Sequence, residues 1–347
     1  MCPSARLIKE ACLKEKLDIG TQVFIAGNLL THLHAFEGEI EGVRQGKEIE
    51  AVHRMRVASR RLRCTLPLFS DFLPQHKSQG WLEYITSISQ DLGAVRDNDV
   101  KIEYLQNLSL TLPDERYKPG INRLILRLSQ SNNKFKLNVI NALDKIEEQK
   151  ILQKLSKVLT QWEKQEGQTY LYTPALYTLS FEAISNRLNH FLSLEEYIFQ
   201  PENIKEIHEM RTSAKWLRYT CEIFAPIYSN GLKTPLLSLR QTQEILGNLH
   251  DCDAWIQYLP EFMKKEEKRS LVYSGSVRSY RNLVPGFTYL LEQKQQQRLL
   301  LYQSFIEIWK QWRLENVWEL LRQTIHEPFS QLAVLPENND PSTVDPA

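Results

Sequence analysis

His53, Arg56, Arg60 and Arg63 recur every three or four residues, as do His208, Arg211, Lys215 and Arg218 further along the chain. At about 100° per residue, each set falls within an arc of roughly 80° on one helix face. Such a row offers donors one and two turns apart, about 5 to 11 Å, and so matches an anion whose charges repeat along a thread. Arginine in particular grips phosphate oxygens with two parallel N–H groups. No Asp or Glu stands between Ala51 and Ser70 to neutralise the first row. A solvated basic face is the plainer alternative. Against it, the first row lacks the acidic i,i+4 partners that surface helices commonly carry. The pattern also persists in the second stretch although Arg54 and Arg61 give way to Glu209 and Trp216. The two histidines lie in line with the rows, so a hydrogen bond to the same anion competes with a packing role.

A second pair of motifs follows in the same order. Leu92-Gly93 precedes Arg96, Asp97 and Asp99, and Leu246-Gly247 precedes His250, Asp251 and Asp253. The spacing predicts the close of one helix at each Leu-Gly and the start of the next at the aspartates. One Asp of each pair then caps free N–H groups, and the other is available to brace an arginine of the basic row. A metal reading of the paired aspartates lacks a third oxygen ligand. His250-Asp251 is similar to the His-Asp pair of metal-dependent phosphohydrolases, but no upstream histidine completes that set. Glu39 and Glu41 lie in a helical pattern, and His32 and His34 point from different faces of a helix expected over Gln22–Glu41. No metal site and no cofactor are expected.

These motifs must be held by helices. Apolar residues recur at three- and four-residue spacing almost throughout, which predicts an all-α fold. Met55, Ala58, Leu62, Leu66 and Phe69 form the apolar stripe behind the first row, and Leu152, Leu155, Val158, Leu159 and Trp162 form another. An aromatic-rich helix is expected from Leu300 through Trp309 and Trp312 to Leu320. The residues from Val52 to Arg63 align without gaps on Ile207 to Arg218, Phe69 matches Phe224, and the Leu-Gly motifs align at an offset that differs by one residue only. The chain therefore reads as a tandem duplication of a helical unit of about 155 residues, too long for a short-repeat solenoid. The division expected is a first bundle over 1–166, a second over 167–328 and a disordered tail over 329–347, with a linker across Thr169–Pro174 after Gly167. Each bundle is long enough to bury a core of its own.

Composition sets wider bounds. The 347 residues carry 43 Lys plus Arg against 42 Asp plus Glu, a formal net charge of +1. A hydrophobic fraction of 42% excludes a disordered chain. The five cysteines form no C-x-x-C pair, which argues against a disulfide framework or zinc ribbon. No apolar run reaches the roughly 20 residues that span a bilayer, and Met1 to Lys16 mixes acids with bases. A cytoplasmic protein without a membrane partner is expected.

Taken together, His53-x-x-Arg56-Val57-Ala58-x-Arg60-Arg61-Leu62-Arg63, the Leu92-Gly93-x-x-Arg96-Asp97-x-Asp99-Val100 stretch and their second-half echoes resemble the conserved histidine α-helical, or CHAD, domain. The similarity runs from about residue 15 to about 325. It implies two pseudo-symmetric helical bundles around a basic cleft that binds inorganic polyphosphate, with no catalytic activity of its own. The implied ligand set is His53, Arg56, Arg60, Arg61, Arg63, Arg96, His208, Arg211, Lys215 and Arg218, supported by Asp97, Asp99, Asp251 and Asp253. Later-helix candidates are Arg123, Arg127, Lys134, Lys136, Arg281, Lys294 and Arg298. A nucleic-acid backbone binder is the alternative, disfavoured because aromatics are not interleaved with the bases; a phosphohydrolase at His250, Asp251 and Asp253 is the third reading.

Overall fold

The computed structural model describes residues 18–46, 49–164 and 173–332. Among them every regular element is helical, as the apolar spacing requires. In chain order these are α1 (Ile19–Glu37), α2 (Ile40–Gln45), α3 (Ile49–Leu68), α4 (Gln75–Leu110), α5 (Lys118–Glu148), α6 (Ile151–Glu163), α7 (Pro174–Ser193), α8 (Ile204–Phe224), α9 (Lys233–Ser274), α10 (Arg278–Arg281), α11 (Val284–Leu314) and α12 (Val317–Leu332).

Several boundaries differ from expectation. The first helix stops at Glu37, and the turn through Gly38 and Glu39 separates it from α2. The aromatic-rich helix ends at Leu314, where Asn316 takes a left-handed φ of 53°, so Leu320 belongs to α12. That last helix continues to Leu332, which makes residues 329–332 of the expected tail helical. Residues 333–347 lie outside the described residues. So does most of the expected linker, of which Thr173 caps α7 by accepting the Leu176 amide.

Helices α1, α3, α4, α5 and α6 pack on one another, as do α7, α8, α9, α11 and α12. The two groups meet where α3 contacts α8 and where α5 contacts α11. Their cores are not separate. One cluster of buried apolar residues runs through both groups, and a smaller one joins Leu105, Ile121 and Leu124 of the first to Trp255, Phe262 and Phe287 of the second. Phe69 and Phe224, matched by the repeat, pack edge to face at 6.2 Å, and Phe24 stacks on Phe224 at 5.8 Å. Each half thus completes its core with the other.

Two further anchors join the halves. Glu266 of α9 is fully buried and binds Arg127 at 2.7 Å, Arg123 at 3.2 Å and Arg269. Pro119-Gly120 and Pro285-Gly286 open α5 and α11 and touch each other. A β-carbon on Gly120 would lie 2.4 Å from the Leu283 carbonyl oxygen, and one on Gly286 would lie 2.1 Å from that of Tyr117. Backbone blocks both positions, so no rotamer change relieves the clash. Gly286→Ala, which in a free helix would gain up to about 1 kcal/mol, is expected here to cost about 3 kcal/mol, measured by chemical denaturation.

Candidate functional site

The apolar stripe predicted for α3 is buried: Met55, Ala58, Leu62 and Leu66 all face the core, as do Ile207, Met210, Ala214 and Leu217 of α8. That leaves the opposite arcs of both helices turned to a cleft of about 580 Å³. Arg56, Arg60 and Arg63 enter it from α3 and Arg211 and Lys215 from α8. Lys101 of α4 and Lys294 of α11 complete the cationic lining, and Asp97 and Asp251 supply its carboxylates. Among the described residues, only Arg56 of these seven cations forms an ion pair, with Asp97 at 3.0 Å.

Aromatic rings take the place of the missing counterions. The Trp216 ring lies under Lys215 at 5.2 Å, Arg63 at 5.4 Å and Arg187 at 5.7 Å. Tyr219 faces Arg61 at 4.5 Å, Arg218 at 4.9 Å and Arg60 at 5.7 Å, and Arg60 Nη2 also donates to its hydroxyl. Lys101 lies over both Trp255 and Tyr258, and Lys294 is 3.9 Å from the centre of Tyr104. Attraction to each ring face is worth about 0.5–2 kcal/mol and, unlike a carboxylate, subtracts no charge from the cleft. The expectation that aromatics stay apart from the bases is therefore overturned. Trp216 and Tyr219 sit inside the second motif itself, next to Lys215 and Arg218, so the signal was present in the sequence.

The electrostatics record this crowding. Burial, followed by repulsion from Arg60, Arg211, Arg63 and Arg56, draws the Lys215 ammonium from 10.5 down to about 8. Burial likewise lowers Arg56 and Arg211. His208 and His250 bring their Nδ1 atoms to 2.9 Å, so one ring donates and the other accepts. Burial and then Arg211 lower both, His250 to about 4, and both imidazoles are neutral at pH 7.

Both Leu-Gly motifs lie inside long helices, α4 of 36 residues and α9 of 42, instead of closing one. Gly93 and Gly247 face the basic helices. A β-carbon on them would stand 3.9 Å from Arg56 Nε and 4.0 Å from Arg211 Nε, the same arrangement in both halves. None of the four aspartates caps a helix. Asp97 braces Arg56, Asp251 lies near enough to Arg211 to perturb it, Asp253 pairs with Arg298, and Asp99 accepts from Asn132 Nδ2 at 2.6 Å.

Other members of the expected set stay out of the cleft. Arg61 and His53 project from the flank of α3 and line a second pocket with His32, Arg54 and Arg240. There Glu222 pairs with Arg61, with Arg218 at 2.9 Å and with Arg240 at 3.7 Å. Arg218 leaves its row because that carboxylate stands one turn further along α8. Arg96 perturbs Arg56 without lining the cleft, and His208 reaches it only through His250. Of the later-helix candidates, Lys294 alone lines the cleft; Arg123 and Arg127 are held by Glu266. Lys101, one turn beyond Asp97, was not expected. Among the described residues no group of three or more His, Cys, Asp or Glu could hold a metal ion.

A family model described as the CHAD domain matches residues 28–260. The fold is similar to the crystal structure of the CHAD domain from the plant Ricinus communis, with a TM-score of 0.56 at 20% identity, covering 88% of this chain and 91% of that one. It is also similar to PptA from Streptomyces chartreusis, with a TM-score of 0.55 at 15% identity, covering 83% and 99%. No curated protein matches the sequence.

Because the Lys215 ammonium is held at about 8 against an ordinary 10.5, folding carries a penalty that is complete below pH 8 and fades as pH rises toward 10.5. Lys215→Met is expected to stabilise the protein by about 1–3 kcal/mol at pH 7, and the advantage should shrink between pH 8 and pH 10. Thermal melting of both proteins across that range measures it.

Proposed function

The chain belongs to the CHAD domain family, and on that footing we propose that it binds inorganic polyphosphate in the cleft between α3 and α8, as a binding module with no catalytic step. One observation carries this reading: seven Lys and Arg side chains line one cleft, and among the described residues only Arg56 has a carboxylate partner. A polyphosphate thread supplies the missing negative charge at intervals of a few ångströms, and each charge-assisted hydrogen bond contributes about 1.5–3 kcal/mol before the cost of immobilising a flexible chain. The aromatic rings favour polyphosphate over nucleic acid. Their faces are engaged by Lys101, Lys215, Lys294 and the arginines, so they are poor platforms for stacking bases.

In this reading the aspartates and histidines do not serve a metal-dependent hydrolytic centre. Asp253 is engaged by Arg298 and His250 by His208. Their role in this reading is to orient cations. The same reading keeps the protein in the cytoplasm; among the described residues no helix is long and apolar enough to cross a membrane.

Titration with polyphosphate of one defined length at low salt should show saturable binding. Combined Arg56→Ala, Arg60→Ala and Arg63→Ala should weaken it by at least about a hundredfold; no binding by the parent, or undiminished binding by the triple variant, rejects the reading. Displacement by RNA or DNA at comparable phosphate concentration would favour the nucleic-acid alternative. Bound oxyanions favour the protonated form of Lys215, so affinity should fall as pH rises above about 8. Lys215→Arg, charged throughout, is expected to flatten that dependence between pH 7 and pH 9 in the same titration.

A further inference from the structure

The repeat that aligns Arg63 with Arg218 aligns Cys64 with Tyr219. A tyrosine at this place therefore exists in one half only, and it serves both. Tyr219 belongs to α8, yet two of the three guanidinium groups around its ring, those of Arg60 and Arg61, come from α3. It is 5% exposed, so the ring is fixed by its surroundings and its hydroxyl meets Arg60 directly.

The three arginines differ in what else holds them. Arg61 and Arg218 turn away from the cleft to Glu222. Arg60 lines the cleft, and among the described residues it has no carboxylate; Tyr219 is its recorded partner. It also stands close to Lys215, whose ammonium it repels. Left to itself, a long side chain in that field would swing toward solvent, with rotamer entropy favouring it. A carboxylate could restrain it, but would cancel the charge that the site needs. A neutral ring attracts the guanidinium charge, and the hydroxyl takes a single N–H, leaving the other donors free.

We propose that Tyr219 is the positioning residue of the cleft: it holds Arg60 in place for the ligand and couples the basic helices of the two halves into one site. The inference rests on the polyphosphate reading and concerns how affinity is produced there. Tyr219→Leu should weaken binding of defined-length polyphosphate about tenfold and reduce the slope of log affinity against log salt by about one, the signature of a lost phosphate contact. In an Arg60→Ala background the same substitution should change affinity by less than about twofold, because the side chain it positions is already gone.

A purely structural tyrosine gives a different result. Its loss would weaken binding by the same factor with and without Arg60 and leave the salt slope unchanged, and either outcome overturns the proposal. Should Tyr219→Leu fail to fold, the cycle is run with Tyr219→Phe, which removes only the hydroxyl. A loss of about twofold to threefold is then expected, confined to the protein that retains Arg60; no loss, or an equal loss in both backgrounds, overturns it. Failure of the unmodified protein to bind polyphosphate at low salt would instead reject the underlying reading.

Discussion

Cations brought together without counterions repel, and this repulsion is the constraint around which the molecule is arranged. At an effective dielectric constant of about 20, two unit charges 4 Å apart repel by about 4 kcal/mol. Burial first, and then repulsion from Arg60, Arg211, Arg63 and Arg56, depresses the Lys215 ammonium, so the folded cleft bears part of this cost. Something must keep α3 and α8 from separating. The answer is a core that neither half owns: Phe69 packs on Phe224, and apolar residues of both groups form two shared clusters. The halves cannot part to relieve the charge without exposing apolar surface.

Charge is then sorted by position. Where arginines are needed for structure, carboxylates neutralise them, as Glu222 does for Arg61, Arg218 and Arg240 and as the buried Glu266 does for Arg123, Arg127 and Arg269. In the cleft, aromatic rings support Arg60 and Arg63 and leave their charge in force. A net charge of +1 over the whole chain therefore coexists with a cavity lined by seven Lys and Arg side chains and two carboxylates, an imbalance that is local to it.

Much of this was legible in residue order. Helical spacing and the apolar stripes predicted which faces of α3 and α8 are buried, because a 3.6-residue period fixes the angle between side chains whatever surrounds the helix. The same angles proved too coarse to separate neighbours on one face. Arg63 lines the cleft while its counterpart Arg218 does not, and the cause, Glu222, is a partner four residues later that local sequence could have revealed. The Leu-Gly and Asp motifs misled for another reason. Glycine and aspartate mark helix ends on average, but here Gly93 and Gly247 lie against Arg56 and Arg211, and the aspartates serve side chains on other helices.

By itself the sequence determined the all-helical class, the echo between the two halves and the existence of two basic rows, since each follows from periodicity along one chain. Tertiary structure decided which cations share a cavity, that the two cores merge, that Lys294 alone of the later-helix candidates lines the cleft, and that Lys101 and Tyr219 join the site from outside the expected set. These depend on how helices far apart in the chain cross. A distance such as that from Arg60 to the Tyr219 ring, 5.7 Å across 159 residues, is set by the packing of the apolar faces behind the two side chains, which no local pattern encodes.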